Sequence, residues 1–319
     1  MTDCTVGFDT SNYTTSIAVA TLDGEVVANL KTPLRVKEGQ RGLRQSDALF
    51  EHTRNLPELT DRLGALLSGE GLRPVAVGVS ATPRDAEGSY MPCFLAGVSA
   101  AHSFASGVNA RLYNFSHQNG HIMAAAYSSG EAERLLSAPF VAFHVSGGTT
   151  EALYVSPEVE GFSVKLVGET DDINGGQLID RVGVMMGLSF PAGREMEGLA
   201  AEYMGKIYKH PVCVREGRCS LSGGENIAAK IYGREGDRQE TAAFVFDFIC
   251  RTLLSMGEYA ESIYGKVPVL FAGGVMSNRL MRQRLSSRFE AYFSEPELSS
   301  DNAAGIALLT QRKFITQNK

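Results

Sequence analysis

Two stretches far apart in the chain share one alternation of apolar and polar positions. The first reads Val6-Gly7-Phe8-Asp9-Thr10-Ser11-Asn12-Tyr13-Thr14-Thr15, and the second Ala142-Phe143-His144-Val145-Ser146-Gly147-Gly148-Thr149-Thr150-Glu151. Each is a β-like run entering a tight turn of small or hydroxyl residues and leaving through a second run, 17–20 or 152–155. Both continue to an acidic-glycine turn, Asp23-Gly24 and Glu160-Gly161, and then to a third strand. A strand–turn–strand–turn–strand phrase used twice predicts two related lobes, each with a polar turn at the edge of its sheet.

The remaining pattern alternates. Leu49, Phe50, Thr53, Leu56, Leu59, Leu63 and Leu66 recur at helical spacing over 46–67, and a β-branched strand follows at 74–80. Helices are predicted at 90–107, 117–128, 171–187, 195–204, 242–264, 278–288 and 301–312, with strands at 111–115 and 267–272. The glycine-rich stretch 217–236 reads as less regular. Strands alternating with helices predict an α/β architecture, and no low-complexity tract separates the lobes.

At 319 residues and 44% hydrophobic content, two domains are expected. No apolar run is long enough to span a bilayer, so no membrane association is expected. The five cysteines are odd in number and form no CxxC, which points to a reducing cytoplasm and away from a cysteine zinc site. A net charge of −6 argues against a chain that coats nucleic acid by itself. Two local basic groups stand out, Lys31, Arg35, Lys37, Arg41 and Arg44, and Arg279, Arg282, Arg284 and Arg288. Either is a nucleic-acid contact or a solvated surface.

Three constellations carry chemistry. In His117-Gln118-Asn119-Gly120-His121 the imidazoles lie one helical turn apart, roughly 6 Å along the axis, and reach one ion; surface histidines at a helix start are the plainer alternative. Gln118 stands where a His-Glu-x-x-His protease has its base, and an amide cannot take a proton from metal-bound water, so proteolysis is excluded. Gly120 inside a helix asks for a reason such as close approach of a ligand. The small-residue turns Ser146-Gly147-Gly148-Thr149, Gly175-Gly176, Gly223-Gly224 and Gly273-Gly274 suit phosphate or nucleoside binding where they follow strands, though none is a Walker A loop. Carboxylates gather at predicted helix starts, Asp171-Asp172 and Asp301-Asn302, where capping is the plain role. Asp180, inside a helix, needs a partner: a sugar hydroxyl pair, Arg181 or a lysine.

The segment 143–150 resembles a Val-Ser-Gly-Gly-His-Thr motif, and Gly168-Glu169-Thr170-Asp171-Asp172 through Asp180-Arg181 resembles Gly-Glu-x-x-Asp-Asp-x-x-Gly-x-x-x-Asp-Lys. The segment 271–278 resembles Ala-Gly-Gly-Val-x-x-Asn. With His117, His121 and Asp301-Asn302-Ala303-Ala304, the chain resembles the tRNA threonylcarbamoyladenosine transferase subunit (TsaD) family, formerly called O-sialoglycoproteases. The resemblance implies a two-lobed ASKHA fold, that of actin, heat-shock chaperones and sugar kinases. The lobes would be 1–110 and 111–300, with 301–319 packing back on the first. It implies one divalent metal ion, iron or zinc, on His117, His121 and Asp301. It also implies threonylcarbamoyl transfer from threonylcarbamoyl-AMP to N6 of adenosine 37 in tRNA. His144, Val145, Ser146, Gly147 and Gly148 would line the adenylate phosphate, and Asp180, Gly193 and Asn278 the ribose and base. Partners would be tRNA, a smaller ASKHA paralogue and accessory subunits, in the cytoplasm.

The chain also departs from that family. Its first turn has Tyr13 and Thr14 in place of an acidic pair, with Asp9 at the family's Glu position, so no carboxylate contribution to transfer is expected from that turn. Thr149 replaces the motif histidine, and Thr82-Pro83-Arg84-Asp85-Ala86-Glu87 replaces a Gly-Pro-Gly-Leu segment. These departures mark a divergent member. Besides transfer, two readings stay open: a regulatory or scaffolding paralogue that binds nucleotide and metal without turnover, and a small-molecule kinase with Asp9 or Asp180 as base.

Overall fold

The structure is a computed structural model that describes residues 1–35, 43–158, 161–207, 209–295 and 303–318. Contacts divide the chain into unit 1 (Met1–Ala132, Pro157–Ser163 and Glu297–Lys319) and unit 2 (Glu133–Ser156 and Val164–Pro296).

Unit 1 is built on β1 (Thr2–Asp9), β2 (Thr14–Thr21), β3 (Val26–Pro33), β4 (Leu72–Thr82) and β5 (Arg111–Ser116), in the order β3-β2-β1-β4-β5. β1 runs antiparallel to β2 and parallel to β4, which is parallel to β5. Alternation sorts the faces. Val6, Phe8, Ile17, Val19, Val77 and Val79 bury together with Leu59 and Leu63 of α1 (Gln45–Gly69) and Ala101 and Ala105 of α2 (Phe94–Gly107). α3 (His117–Ser128) and α10 (Ala304–Gln317) pack together, and α10 also lies on β1, β2 and β4. Thr5 Oγ1 donates to the Ala307 carbonyl at 2.9 Å.

That packing accounts for Gly120. A Cβ there would sit 2.8 Å from Ile306 Cδ1, so the close neighbour is helix α10. α3 starts and stops where its sequence pattern predicts, because Ser116 caps it locally by accepting from Asn119 N at 3.2 Å. The sequence reading began the second lobe at 111, whereas β5 and α3 group with unit 1 through parallel pairing with β4 and packing on α10.

The second sheet, in unit 2 except for the end of β7 and the start of β8, holds β6 (Phe140–Val145), β7 (Thr150–Glu158), β8 (Gly161–Glu169), β11 (Val269–Ala272) and β12 (Ala291–Phe293), in the order β8-β7-β6-β11-β12. Counted outward from its first strand, this sheet has the same strand order as that of unit 1. β6 is antiparallel to β7 and parallel to β11, which is parallel to β12. The duplicated phrase is therefore a duplicated sheet topology, and the two sheets with their helices form the two-lobed α/β architecture of the ASKHA fold.

The helices of this part are α5 (Gly175–Met185), α6 (Gly193–Glu202), α7 (Ser222–Glu235), α8 (Arg238–Tyr264) and α9 (Arg279–Ser286). A five-residue helix α4 (Ala132–Leu136) precedes β6. Phe143, Val145 and Phe271 of the sheet bury against Phe248, Ile249 and Leu253 of α8.

The stretch 217–236, read as irregular, is half of a hairpin, β9 (Cys213–Arg215) with β10 (Arg218–Ser220), followed by α7. The start of α7 has no cap of its own. Asp172 supplies one: its carboxylate accepts from Leu221 N at 2.8 Å, Ser222 N at 3.1 Å, Ser222 Oγ at 2.6 Å and Ser220 Oγ at 2.5 Å. Arg218 meanwhile pairs with Asp171 and Glu169.

Partial burial alone would raise the Asp172 carboxyl. The hydroxyls of Ser220 and Ser222 and the amides of Leu221 and Ile173 outweigh it and hold the group well below the usual carboxylate range. A carboxyl depressed in the folded state stabilises above its unfolded pKa of about 4, and that stabilisation is lost as pH falls further. Asp172→Asn is therefore expected to lower stability at pH 7 by about 1 kcal/mol or less, since solvent screens this exposed carboxylate. It should also flatten the loss of stability between about pH 5 and 3. Thermal unfolding followed across pH checks both, and an unchanged pH profile counts against the role.

All five cysteines are free, and burial pushes the Cys219 thiol up to about 12. Among the described residues, no helix is long and apolar enough to cross a membrane.

Candidate functional site

In unit 1, parallel pairing brings the ends of β1, β4 and β5 together: Phe8 lies beside Val79, and Ser80 beside Phe115. The next residues are Asp9, Ser80 and, just past β5, His117. The Asp9 carboxylate is 1% exposed, and its Oδ2 lies 2.8 Å from His117 Nδ1. Its Oδ1 accepts from Ser11 N at 2.7 Å. Burial would raise this carboxyl, but the charge and hydrogen bond of His117, with the bonds from Ser11, hold it below its ordinary value. Ser11 Oγ is buried with no hydrogen-bond partner among the described residues.

The rings of His117 and His121 are 4.1 Å apart between centroids, at 70° to each other. With Nδ1–H donated to Asp9, a neutral His117 carries its lone pair on Nε2, the arrangement of an imidazole held for a metal by a carboxylate behind it. Imidazole is a ligand type that suits iron and zinc. Among the described residues no three His, Cys, Asp or Glu side chains cluster as a metal site, and Asp301 lies outside the described residues. Asp9, the last residue of β1 before the first turn, thus places a carboxylate against His117. Neither periodicity nor spacing marked the pairing of Asp9 with His117; the usable signal was an acid at the end of a strand whose parallel neighbours end beside it.

The same topological place in unit 2 carries glycine turns. His144 and Val145 end β6, and His144 pairs in register with Ala272 of β11. Ser146-Gly147-Gly148-Thr149 closes on itself: Ser146 N donates to the Thr149 carbonyl at 2.8 Å, and Gly148 N and Thr149 N donate to Ser146 Oγ at 3.2 and 3.1 Å. The first turn of α5 approaches it, with Gly176 N donating to the Ser146 carbonyl at 3.0 Å and Gly175 N to Thr150 Oγ1 at 2.9 Å. Gly273, at φ +97°, has His144 Cδ2 3.0 Å from where a Cβ would be, so the turn after β11 lies directly against the end of β6. Gly147, Gly148 and Gly274 face open space where a side chain would stand. The amides of Ser146, Gly148, Thr149, Gly175 and Gly176 are thus bonded within the fold, and what this strand end offers a ligand is the open space over Gly147, Gly148 and Gly274 beside the start of α5.

Asp180, the carboxylate lacking a partner in sequence, accepts from Ala192 N at 2.8 Å and so ties α5 to the start of α6, where Gly193 stands. Neither a sugar nor a lysine is needed to account for it. Asn278 caps α9 by accepting from Met281 N at 2.9 Å, while its Nδ2, on a residue only 5% exposed, has no hydrogen-bond partner among the described residues. Glu197 of α6 accepts from Arg279 N at 2.8 Å, so Asn278 and the Gly193 helix are neighbours. The eight sequence-predicted substrate residues therefore fall at the end of β6 and in the turn after it, on α5 and at the starts of α6 and α9, all in unit 2.

The second basic group is largely neutralised: Arg282 pairs with Glu295, Arg284 with Asp247 and Arg288 with Glu258 and Glu261. Of the first group, Lys37 and Arg41 lie outside the described residues. Tyr13, in place of an acid, is exposed.

A family model described as TsaD, tRNA N6-adenosine threonylcarbamoyltransferase, matches residues 30–308. The chain belongs to that family. It is 30% identical over 308 residues to the tRNA N6-adenosine threonylcarbamoyltransferase of Methanopyrus kandleri, covering 95% of this chain and 85% of the relative. It is 32% identical over 312 residues to that of a Thermus thermophilus strain, covering 97% and 92%. Family membership makes it a member of an acyltransferase lineage. Among solved structures, it resembles full-length HypF in its phosphate- and nucleotide-bound form, with TM-score 0.56 and 13% identity over 99% of this chain and 55% of HypF. It also resembles the activator of 2-hydroxyisocaproyl-CoA dehydratase from Clostridium difficile, with TM-score 0.52 and 13% identity over 99% and 98% of the two chains. At such identities these likenesses establish the fold alone.

Proposed function

We propose that the chain transfers a threonylcarbamoyl group from threonylcarbamoyl-AMP to N6 of adenosine 37 of tRNA, with one bound iron or zinc ion. The observation that carries this reading is the family match over 30–308, and the open glycine turn in unit 2 and the carboxylate-backed histidine pair in unit 1 support it.

Residues 144–148 line the adenylate phosphate, the open glycine positions letting it approach the backbone beside the start of α5. Asn278 offers Nδ2 to the nucleoside, beside Gly193, and Asp180 fixes the start of the Gly193 helix. In transfer, the exocyclic amine attacks the carbamoyl carbon, a C–N bond forms, the C–O bond to phosphate breaks, and AMP leaves with the electron pair as the amine proton is released. The N-terminal end of α5, beside that turn, favours the negative charge that gathers on the phosphate. His117 and His121, with Asp301, would hold the metal ion, and Asp9 orients His117. When bound, the ion would supply Lewis acidity to an oxygen of the donor. We place the protein in the cytoplasm with tRNA, a smaller ASKHA paralogue and accessory subunits.

A paralogue that binds nucleotide and metal without turnover is the second reading, favoured by Tyr13, Thr14 and Thr149 in place of family acids and histidine. A small-molecule kinase leaves the histidine pair without a role, and Asp9 and Asp180 are already bonded inside the fold. Mass spectrometry of modified nucleosides decides among them, on tRNA from cells that rely on this chain alone for the modification. Threonylcarbamoyladenosine is expected; its absence, with folded protein and accessory subunits present, removes the transferase reading.

A further inference from the structure

The segment in which the chain departs from its family's Gly-Pro-Gly-Leu is bound to the start of the histidine helix. Pro83 O accepts from Gln118 N at 3.1 Å. Asp85 Oδ2 accepts from Ser116 Oγ at 2.7 Å and from Asn119 Nδ2 at 2.5 Å. Ser116 is fully buried and Asn119 nearly so, and the two residues bracket His117 in the sequence. Asn119 Oδ1 is buried with no hydrogen-bond partner among the described residues, so the carboxylate at 85 is the polar contact that orients this amide.

Asp85 does more here than satisfy a helix end. The backbone donor of Asn119 already has Ser116 Oγ as its cap, and that of Gln118 has the Pro83 carbonyl. What Asp85 adds is a grip on two side chains that protrude from the first turn of α3 on either side of His117. A helix held at two such points is fixed in its rotation about its own axis, and that rotation sets where the imidazoles at 117 and 121 project. A negative charge at this end of α3 also suits the helix dipole.

We propose that Asp85 is a positioning residue for the histidine pair: through Ser116 and Asn119 it sets the pose of α3 from one side, while Asp9 holds the His117 ring directly. This rests on the reading of His117 and His121 as metal ligands. The replaced segment is then the place where this chain rebuilt the support of its metal helix.

The test is zinc affinity of the purified full chain, measured by chelator competition, for wild type, Asp85→Ala and Asp85→Asn, with thermal unfolding of each protein without metal. Loss of an outer hydrogen-bonding partner typically weakens metal binding by about 10–100-fold. Asp85→Ala is expected to weaken zinc binding about 10-fold, and Asp85→Asn, which keeps an oxygen for Ser116, by less. The stabilisation on adding zinc should shrink in the same order. Wild-type affinity in Asp85→Ala, or in Asp85→Asn should the alanine variant not fold, together with a lower melting temperature, would make Asp85 a helix cap only and overturn the proposal. Failure of the wild type itself to bind zinc or iron would instead remove the metal reading, and the positioning role with it.

Discussion

His117→Ala with His121→Ala is expected to abolish metal binding, so that elemental analysis of the purified double variant returns background iron and zinc. The two rings lie 4.1 Å apart between centroids on one side of α3, and no other side chain among the described residues completes a three-donor cluster. Transfer should fall by on the order of 100-fold or more, given that a Lewis acid at the donor contributes several kcal/mol and each 1.36 kcal/mol is tenfold in rate. The His117 change has a second effect: it leaves the Asp9 carboxylate, 1% exposed, without its partner, and an uncompensated buried charge is costly. His121→Ala alone keeps that pair and isolates the metal effect from the stability effect. Metal content equal to wild type in the double variant would overturn the site.

The second large effect is expected at Asp9. Asp9→Asn keeps the shape of the side chain and an oxygen for Ser11 N, so the turn should survive. What it loses is a charged acceptor for His117 Nδ1–H, and an amide can equally present its NH2 and favour the other tautomer. Metal affinity should drop by about 10–100-fold in chelator competition, with the melting temperature of the metal-free protein changing little. Wild-type affinity in this variant would reduce Asp9 to a packing group. The same experiment separates this chain from the kinase reading, in which Asp9 acts on substrate and its loss leaves metal affinity untouched.

The elements most legible in sequence are those whose signals are local. The duplicated phrase shows in period-two alternation, and α3 is framed by its own Ser116 cap, so both appear where expected. α7 was missed because its cap, Asp172, lies about fifty residues upstream. β12 was missed because three half-buried residues carry no period. The pairing of Asp9 with His117 spans 108 positions and follows from strand order, which no spacing rule reports. Gly120 called attention to itself correctly, but its neighbour is a helix from residues beyond 303. In the motif-bearing turns, by contrast, Gly176 and Gly273 are demanded by close backbone approach, a requirement written into the residue type, while Gly147, Gly148 and Gly274 leave open space.

The division of unit 1 into three separate stretches of chain has a consequence for how the protein is made. On a ribosome, β1 to β5 and α3 emerge long before α10, yet Thr5 and Gly120 are already shaped to receive it. Until α10 arrives, the first sheet exposes an unfinished face while unit 2, nearly continuous in sequence, has already left the tunnel. The order of synthesis is thus inverted in the order of completion: the half that begins first is sealed last, and the histidine helix acquires its backing only in that final step.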